Sequence, residues 1–167
     1  GDEINESISS YLKKKHSMAV GERTSEKIKI QIGSAFPDDN FDNTSFEVRG
    51  LHLSSGLPRS ITLTSGEIRE AMADPLNKII EAIKRTLERT PPELAADIVE
   101  RGIMLAGGGA LIRGMNDLVA KETGIFTHVA EDPLLCVVNG CGKILDDFRK
   151  LKRLSLIHIS EPTRQKP

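Results

Sequence analysis

Several residue types are scarce in this chain of 167 residues, and each shortage argues against a class of protein. There is no tryptophan and only one tyrosine, which leaves few aromatic rings for stacking nucleic-acid bases or for a belt at a membrane interface. Lysine and arginine total 23 against 24 aspartate and glutamate residues, so no basic excess attracts nucleic acid, and we expect no nucleic-acid partner. The two cysteines cannot form a disulfide framework or a structural zinc site, which favours a reducing compartment.

Long apolar runs are also missing. No stretch approaches the roughly 18 apolar residues of a membrane-spanning helix, and no secretion signal opens the sequence, so the expected location is cytoplasmic. Apolar residues nevertheless make up 38% of the chain, enough to bury a substantial core. Because the first residue is Gly1 rather than methionine, we expect this sequence to be a fragment of a longer protein.

The spacing of apolar residues predicts an α/β fold. The expected helices cover residues 2–16, 65–87, 92–102, 111–124 and 132–148. Alternating apolar residues at 46–48 and 61–63 predict a hairpin with a long loop, and short apolar runs at 103–106 and 125–129 predict two further strands. A strand, a glycine turn, a helix and a strand follow one another after Gly102, an order typical of a βαβ unit with parallel strands.

One segment fits both a strand and a helix. Ile28, Ile30 and Ile32 alternate with polar residues, and this alternation alone favours a half-buried strand. Thr24 as an N-cap and Gly33 as a terminator favour a short helix instead. The residue pattern leaves both structures open.

The longest predicted helix contains a proline. Thr64 and Glu67 form a capping-box pattern at its start, and the apolar stripe continues to Leu87. Pro75 interrupts this helix because it lacks a backbone N–H donor. We expect it either to kink the helix or to start a second one with Asp74 as the N-cap.

Gly107, Gly108 and Gly109 are the strongest chemical signal in the sequence. They lie between an apolar strand and a predicted helix, and a backbone without Cβ atoms allows close approach of a ligand. The unpaired N–H groups and positive dipole end of the following helix would suit an anion, which indicates a phosphate or nucleotide site. A tight strand-to-helix turn without any ligand explains the same residues.

Other motifs are incomplete. A dinucleotide fingerprint needs a third glycine where this chain has Ile112, although Glu131 lies where a ribose-binding acid would follow. A dinucleotide-dependent oxidoreductase, using nicotinamide or flavin, therefore stays an alternative. The sequence has no Walker A motif, serine-nucleophile motif or clustered histidines and cysteines, so the residues predict no catalytic group and no metal ligand.

Several motifs in one register strongly resemble the MreB family of bacterial actins. They are GERTSEKIK at 21–29, GLPR at 56–59, TPPEL at 90–94, LAGGGALIRG at 105–114 and EDPL at 131–134. The resemblance runs from Gly1 to about Leu154. Residues 155–167 do not share it; they look like translated sequencing-adapter sequence, and we expect a non-native, disordered tail.

This resemblance implies the second half of an actin-like ATPase fold, in which a nucleotide lies in a cleft between two domains. A small outer α+β subdomain would occupy residues 1–68, and a larger inner subdomain with the βαβ unit would occupy residues 69–137. A helix over residues 138–154 would return to the absent first domain. The family's two phosphate-binding loops and its catalytic acid would lie upstream, so we expect weak or no ATP binding and no ATP turnover by this chain alone.

The resemblance also assigns binding residues, because two segments of the family contact adenosine and both have counterparts here. The matching residues are Glu26, Lys27, Ile28, Lys29, Gly107, Gly108, Gly109, Ala110 and Leu111. Family precedent places the first segment on a helix. We adopt the helix because Glu26 and Lys29 would then share one face.

The function that the resemblance implies belongs to the intact protein. Such a protein would bind ATP with Mg²⁺ and polymerise with itself into membrane-associated filaments. Together with the cell-wall elongation machinery, the filaments would organise wall synthesis and maintain rod shape. Other members of the ATPase superfamily, chaperones and sugar kinases, share the glycine motif but not the segments at 56–59 and 90–94.

Overall fold

The computed structural model describes residues 1–146, which form two small sheets and six α-helices. The helices are α1 (Asp2–His16), α2 (Glu22–Ile32), α3 (Ser65–Glu88), α4 (Pro92–Arg101), α5 (Met115–Thr123) and α6 (Cys136–Asp146). The strands are β1 (Met18–Ala19), β2 (Ser45–His52), β3 (Pro58–Thr64), β4 (Ile103–Leu105) and β5 (Thr127–Val129). A 3₁₀ turn, Gly108–Leu111, lies between β4 and α5. The predicted α/β class is confirmed.

The first sheet is antiparallel, with strand order β1-β2-β3. Strands β2 and β3 form the predicted hairpin, in which Val48 pairs with Ile61 and Phe46 pairs with Leu63. Val48 and Leu63 are buried, 2% and 0% exposed. Because alternate residues of a strand point to one face, this sheet offers one apolar face to the helices.

Helices α1, α2 and α3 pack on one another and, with this sheet, form the main core. The apolar side chains with no exposed surface are Ile8, Leu12, Met18, Ile28, Leu63, Ile68, Met72 and Val119. Some of these residues precede the hairpin in the chain, and others follow it as far as α5. One core therefore connects the first sheet with the second half of the chain.

Strands β4 and β5 form a second, parallel sheet in which Met104 pairs with His128. Helix α5 connects the two strands, so the predicted βαβ unit is confirmed. Helix α4 ends at Gly102, as predicted, and the chain enters β4 with φ 81 at this residue. A Cβ on Gly102 would lie 2.5 Å from the Phe126 carbonyl oxygen, so both the conformation and the neighbouring strand require glycine here.

The ambiguous segment is a helix, α2, in agreement with the family precedent. Ile28 and Ile32 lie one turn apart and are 0% and 1% exposed, whereas Ile30 is 69% exposed. The strand that alternation alone favours is wrong, because the middle isoleucine lies on the solvent face of a helix. Thr24 is not the N-cap either, since α2 begins directly after Gly21.

Helix α3 runs through Pro75 as one helix, so the predicted second helix does not form. Its start is the expected cap, in which the Glu67 N–H donates to the Thr64 hydroxyl at 3.3 Å. Proline has no N–H for the carbonyl four residues earlier, which is that of Ala71. Ser7 of α1 donates its hydroxyl to this carbonyl at 2.7 Å. Helix α1 thus supplies the hydrogen bond that the proline removes.

Replacing Ser7 with alanine is expected to lower the free energy of unfolding by about 1 kcal/mol, since the Ala71 carbonyl loses its partner. The same replacement should cost much less when Pro75 is also alanine, because the restored N–H can then bond that carbonyl within α3. Urea unfolding of the four proteins of this double-mutant cycle measures the difference. Equal costs in the two backgrounds would show that the hydroxyl does not compensate for the proline.

Several expectations from the sequence concern boundaries. The expected division after residue 68 falls in the first turn of α3. The helix predicted to continue to residue 148 is described as far as Asp146, and the rest of the 138–154 segment and the 155–167 tail lie outside the described residues. None of the helices within the described part of the chain is long and apolar enough to cross a membrane.

Candidate functional site

The glycine turn is open at the carboxyl end of β4. Gly107 has φ 83, a conformation that side chains disfavour. A Cβ on Gly107 or Gly109 would meet nothing within 4 Å, and a Cβ on Gly108 would lie 3.6 Å from Leu134, an ordinary contact. The turn is therefore a cradle whose backbone another molecule can approach. Of the three glycines, Gly107 alone is required by its backbone conformation.

The glycines lead into the 3₁₀ turn and not directly into an α-helix, which corrects the predicted helix start. Within this turn the Ala110 N–H donates to the Gly107 carbonyl at 3.2 Å. The chain is then extended at Ile112, and α5 begins only at Met115. A ligand at the turn would therefore meet backbone groups of the turn itself, without the dipole of a long helix.

The segment after β5 packs against the same turn. The Gly107 N–H donates to the Pro133 carbonyl at 2.7 Å. Because that carbonyl is used by the glycine turn, α6 begins at Cys136 and not at Asp132 and Pro133 as predicted. Leu134 borders the turn on this side.

The other predicted binding segment lies on α2, and its charged side chains differ from one another in exposure and in their neighbours. Glu26 and Lys27 are exposed, and the Lys27 ammonium lies 5.6 Å from the centre of the Phe46 ring. Lys29 is half-buried, and its Nζ lies 4.0 Å from the position of a Cβ on Gly1 at the start of α1. Glu26 and Lys29 lie three residues apart on the helix, as expected, so they can flank one ligand.

Two of the predicted binding residues are buried. Ile28 is part of the core, with no exposed surface, and Ala110 is 7% exposed. Their side chains can position the site but can hardly touch a ligand. Leu111, which follows Ala110 in the turn, is 57% exposed and can cover an apolar ring.

A bridge joins the two segments just beyond their ends. Ser34, two residues after α2, pairs with Arg113, two residues after the 3₁₀ turn, in an isolated parallel bridge. The Ala35 N–H donates to the Arg113 carbonyl at 2.8 Å. The structure thus connects the chain just after α2 with the chain just after the 3₁₀ turn.

The loop between α2 and β2 strengthens this junction, and we term its residues 34–44 the strap. The Arg113 guanidinium lies 3.9 Å from the centre of the Phe41 ring, and Lys121 of α5 lies 5.5 Å from the centre of the Phe36 ring. Both are cation–π distances. The strap therefore contacts the chain immediately after the glycine turn and again on the following helix.

An ion pair anchors the other end of the strap. Arg69 of α3 donates from both terminal nitrogens to the two carboxylate oxygens of Asp42, and the Nη2 to Oδ2 distance is 2.8 Å. The hydrogen bonds from Arg69 lower the pKa of Asp42, so this carboxylate stays ionised to a lower pH than an ordinary aspartate. The bidentate pair holds the strap against α3.

The described residues do not supply a metal centre. No group of three or more histidine, cysteine, aspartate or glutamate side chains that could hold a metal ion lies within residues 1–146. Glu131, the ribose acid of the oxidoreductase alternative, is exposed in the loop after β5.

Sequence reasoning did not identify the strap or the Pro133 carbonyl as parts of this region. The sequence of the strap predicts a polar loop because it contains a proline, three aspartates and two asparagines between residues 37 and 43. The sequence signal for these contacts was a pair of phenylalanines, Phe36 and Phe41, that belong to no helical or strand pattern of apolar residues. Aromatic residues in a polar loop indicate contacts to another part of the fold.

Comparisons with known proteins identify the family of this chain. A family model described as MreB/Mbl protein matches residues 1–153. The chain is 49% identical over 146 residues to the cell shape-determining protein MreB of Escherichia coli K12, covering 87% of this chain and 42% of that protein. It is 44% identical over 156 residues to the cell shape-determining protein Mbl of Bacillus subtilis 168, covering 93% of this chain and 46% of that protein.

Solved structures give the same result. The crystal structure of MreB5 of Spiroplasma citri bound to ADP matches with a TM-score of 0.85 and 33% identity, over 91% of this chain and 46% of that one. The fold is therefore that of the actin-like ATPases. The chain belongs to the MreB/Mbl family, and it spans less than half the length of the curated relatives named above.

Two expectations from the sequence are settled by these matches. The family match ends at residue 153, close to the predicted limit at Leu154. The oxidoreductase alternative is wrong, since the chain is a member of another family and the third glycine of a dinucleotide fingerprint is missing at Ile112.

Proposed function

We propose that this chain is the second half of an ATP-binding, filament-forming bacterial actin that maintains rod cell shape by organising cell-wall synthesis. Membership of a family whose curated relatives are named cell shape-determining proteins supports the cellular role. The observation that supports the nucleotide site is the open glycine turn after β4, whose backbone has free space at the Cβ positions of Gly107 and Gly109. MreB5 of Spiroplasma citri, which has the same fold, is bound to ADP.

The adenosine part of ATP would lie between the two segments. The backbone of Gly107, Gly108 and Gly109 would face the nucleotide, since no Cβ atoms block that side of the turn. Glu26 can accept hydrogen bonds from ribose hydroxyls, and the Lys29 ammonium can border the sugar or the base. When bound, ATP supplies the phosphoanhydride bond that is cleaved. The residues of this chain bind and orient its nucleoside end.

The phosphates and Mg²⁺ would be held elsewhere in the intact protein. The Mg²⁺ ion would be bound on the preceding domain, as the family resemblance implies. In that protein residues 1–68 would form the small outer subdomain, residues 69–137 the larger inner one, and residues 138–154 a helix returning to the first domain. The cleft between the two domains would close around the nucleotide.

The proposed partners follow from the family and not from any surface of this chain. They are further copies of the same protein, in a filament, and the cell-wall elongation machinery. The proposed location is the cytoplasmic side of the membrane, where the filaments would associate with the lipid surface.

The test compares the 167-residue chain with a fusion that places the first domain of the Escherichia coli relative ahead of Gly1. The fusion is expected to bind ATP and to form sedimenting filaments with ATP and Mg²⁺. The chain alone should bind ATP weakly or not at all and release no phosphate, because half of the cleft is missing. A folded fusion that neither binds ATP nor assembles would refute the proposed function, and turnover by the chain alone would contradict the upstream location of the catalytic groups.

A further inference from the structure

We infer that Arg113 is a positioning residue for the candidate nucleotide site, which holds the glycine turn in place relative to α2 without touching the nucleotide. The inference rests on the proposed function, because it assumes that the turn and α2 contact one ligand. Its basis is the combination of the Ser34–Arg113 bridge, the ring contact between Arg113 and Phe41, and the anchoring of the strap on α3.

The first step is the short connection between Arg113 and the turn. A single residue, Ile112, separates Arg113 from the 3₁₀ turn, and it is extended with its side chain packed against the core. Arg113 is held from two directions, by the Ala35 N–H on its carbonyl and by the Phe41 ring under its guanidinium. A displacement of Arg113 therefore moves the end of the glycine turn directly.

The second step is the independent anchoring of the strap. The Ser34 hydroxyl donates to the Phe36 carbonyl at 2.7 Å, which folds the start of the strap. A Cβ on Gly114 would lie 2.7 Å from Phe36 Cβ, so the strap is in close contact with the start of α5. The ion pair between Asp42 and Arg69 fixes the other end. With both ends fixed, the Phe41 ring is a firm support for Arg113.

The third step is the exposure of Arg113. Its side chain is exposed, so the contact with Phe41 adds little to the burial that stabilises the whole fold. The glycine turn has other restraints, among them the hydrogen bond from the Gly107 N–H to the Pro133 carbonyl and the burial of Ala110, so the Phe41 contact is one of several. The contact between Arg113 and Phe41 therefore affects mainly the conformational order of the glycine turn. Its loss should leave the rest of the chain folded.

Amide hydrogen exchange by NMR on the 167-residue chain tests this inference without any nucleotide. In Arg113→Ala, exchange at the Ala110 and Ile112 N–H groups is expected to be about two- to fivefold faster, as the loss of an exposed cation–π contact implies. Arg49→Ala is the matched control, because the Arg49 side chain is 86% exposed on strand β2 and its ion-pair partner is Glu47 of the same strand. It should leave these amides unchanged.

Conservative variants separate a positioning role from a merely structural one. Arg113→Lys keeps a cation over the ring and should retain most of the protection, whereas Phe41→Ala should reproduce the effect of Arg113→Ala from the other side of the contact. In the two-domain fusion, Arg113→Ala should weaken ATP binding by a similar factor of about two to five. The thermal unfolding midpoint should change little in each case.

The outcomes distinguish this inference from the proposed function. Unchanged exchange at Ala110 and Ile112 in both Arg113→Ala and Phe41→Ala would overturn the inference, even if the fusion binds ATP. Faster exchange together with normal ATP affinity in the fusion would also overturn it, since ATP binding would then not depend on the position that Arg113 gives the turn. Failure of the unmodified fusion to bind ATP, with faster exchange in the variants, would refute the proposed function and with it the nucleotide role of Arg113.

Discussion

Replacing Ile28 with alanine is expected to lower the free energy of unfolding by about 2–5 kcal/mol. Ile28 has no exposed surface and packs in the main core, so truncation to alanine leaves a cavity as well as removing apolar burial. The family resemblance assigns this residue to the adenosine segment, yet the structure gives its side chain a packing role. The expected loss of stability should therefore appear in the absence of nucleotide.

Ile30→Ala is the matched control for this prediction. The two isoleucines lie on the same helix two residues apart, but Ile30 is 69% exposed and should cost no more than about 0.5 kcal/mol. Urea unfolding of the chain, followed by circular dichroism, gives both values. A similar small loss for the two variants would contradict the helical register of α2 and would revive the strand that alternation suggests.

Replacing Gly108 with valine in the two-domain fusion is expected to weaken ATP binding by about 10- to 100-fold. A nucleotide lying against the backbone of the turn would meet the new side chain, whereas within the protein a Cβ at this position has only Leu134 as a neighbour, at 3.6 Å. The substitution should thus change binding and leave the fold intact. Isothermal titration calorimetry gives the affinity, and thermal unfolding without nucleotide gives the stability.

Gly102→Val is the control for a glycine with a structural role. A Cβ at Gly102 would lie 2.5 Å from the Phe126 carbonyl, and its φ of 81 is unfavourable for a side chain, so this variant should lose stability without nucleotide. Wild-type affinity in Gly108→Val would place the nucleotide away from the turn. A stability loss in Gly108→Val as large as that in Gly102→Val would assign the glycine motif to folding alone.

Much of the fold could be predicted from the sequence because apolar periodicity reports burial on one face. The helix α1, the hairpin and the βαβ unit all follow from that principle. Periodicity failed at α2, where one exposed isoleucine between two buried ones imitates a strand. It could not predict that α3 continues through Pro75, since the missing hydrogen bond is replaced by Ser7 from another helix.

The candidate site was predictable only in part. The glycines could be found because three consecutive residues without Cβ atoms indicate either a tight turn or the close approach of a ligand. The motif resemblance supplied the residues of α2. The start of α6 and the start of α5 could not be found, because each depends on a distant contact: the Pro133 carbonyl is bonded by Gly107, and Arg113 is held extended by Ala35. Contacts between residues far apart in the chain leave no periodic signal.

We propose that α2 and the glycine turn form two sides of one adenine-nucleotide site. Photo-crosslinking of the two-domain fusion with 8-azido-ATP, followed by peptide mapping, tests it most directly. The labelled peptides are expected to contain residues 26–29 or residues 107–111, and excess ATP should suppress their labelling. Competable labelling confined to other parts of the chain, with both segments unmodified, would contradict it.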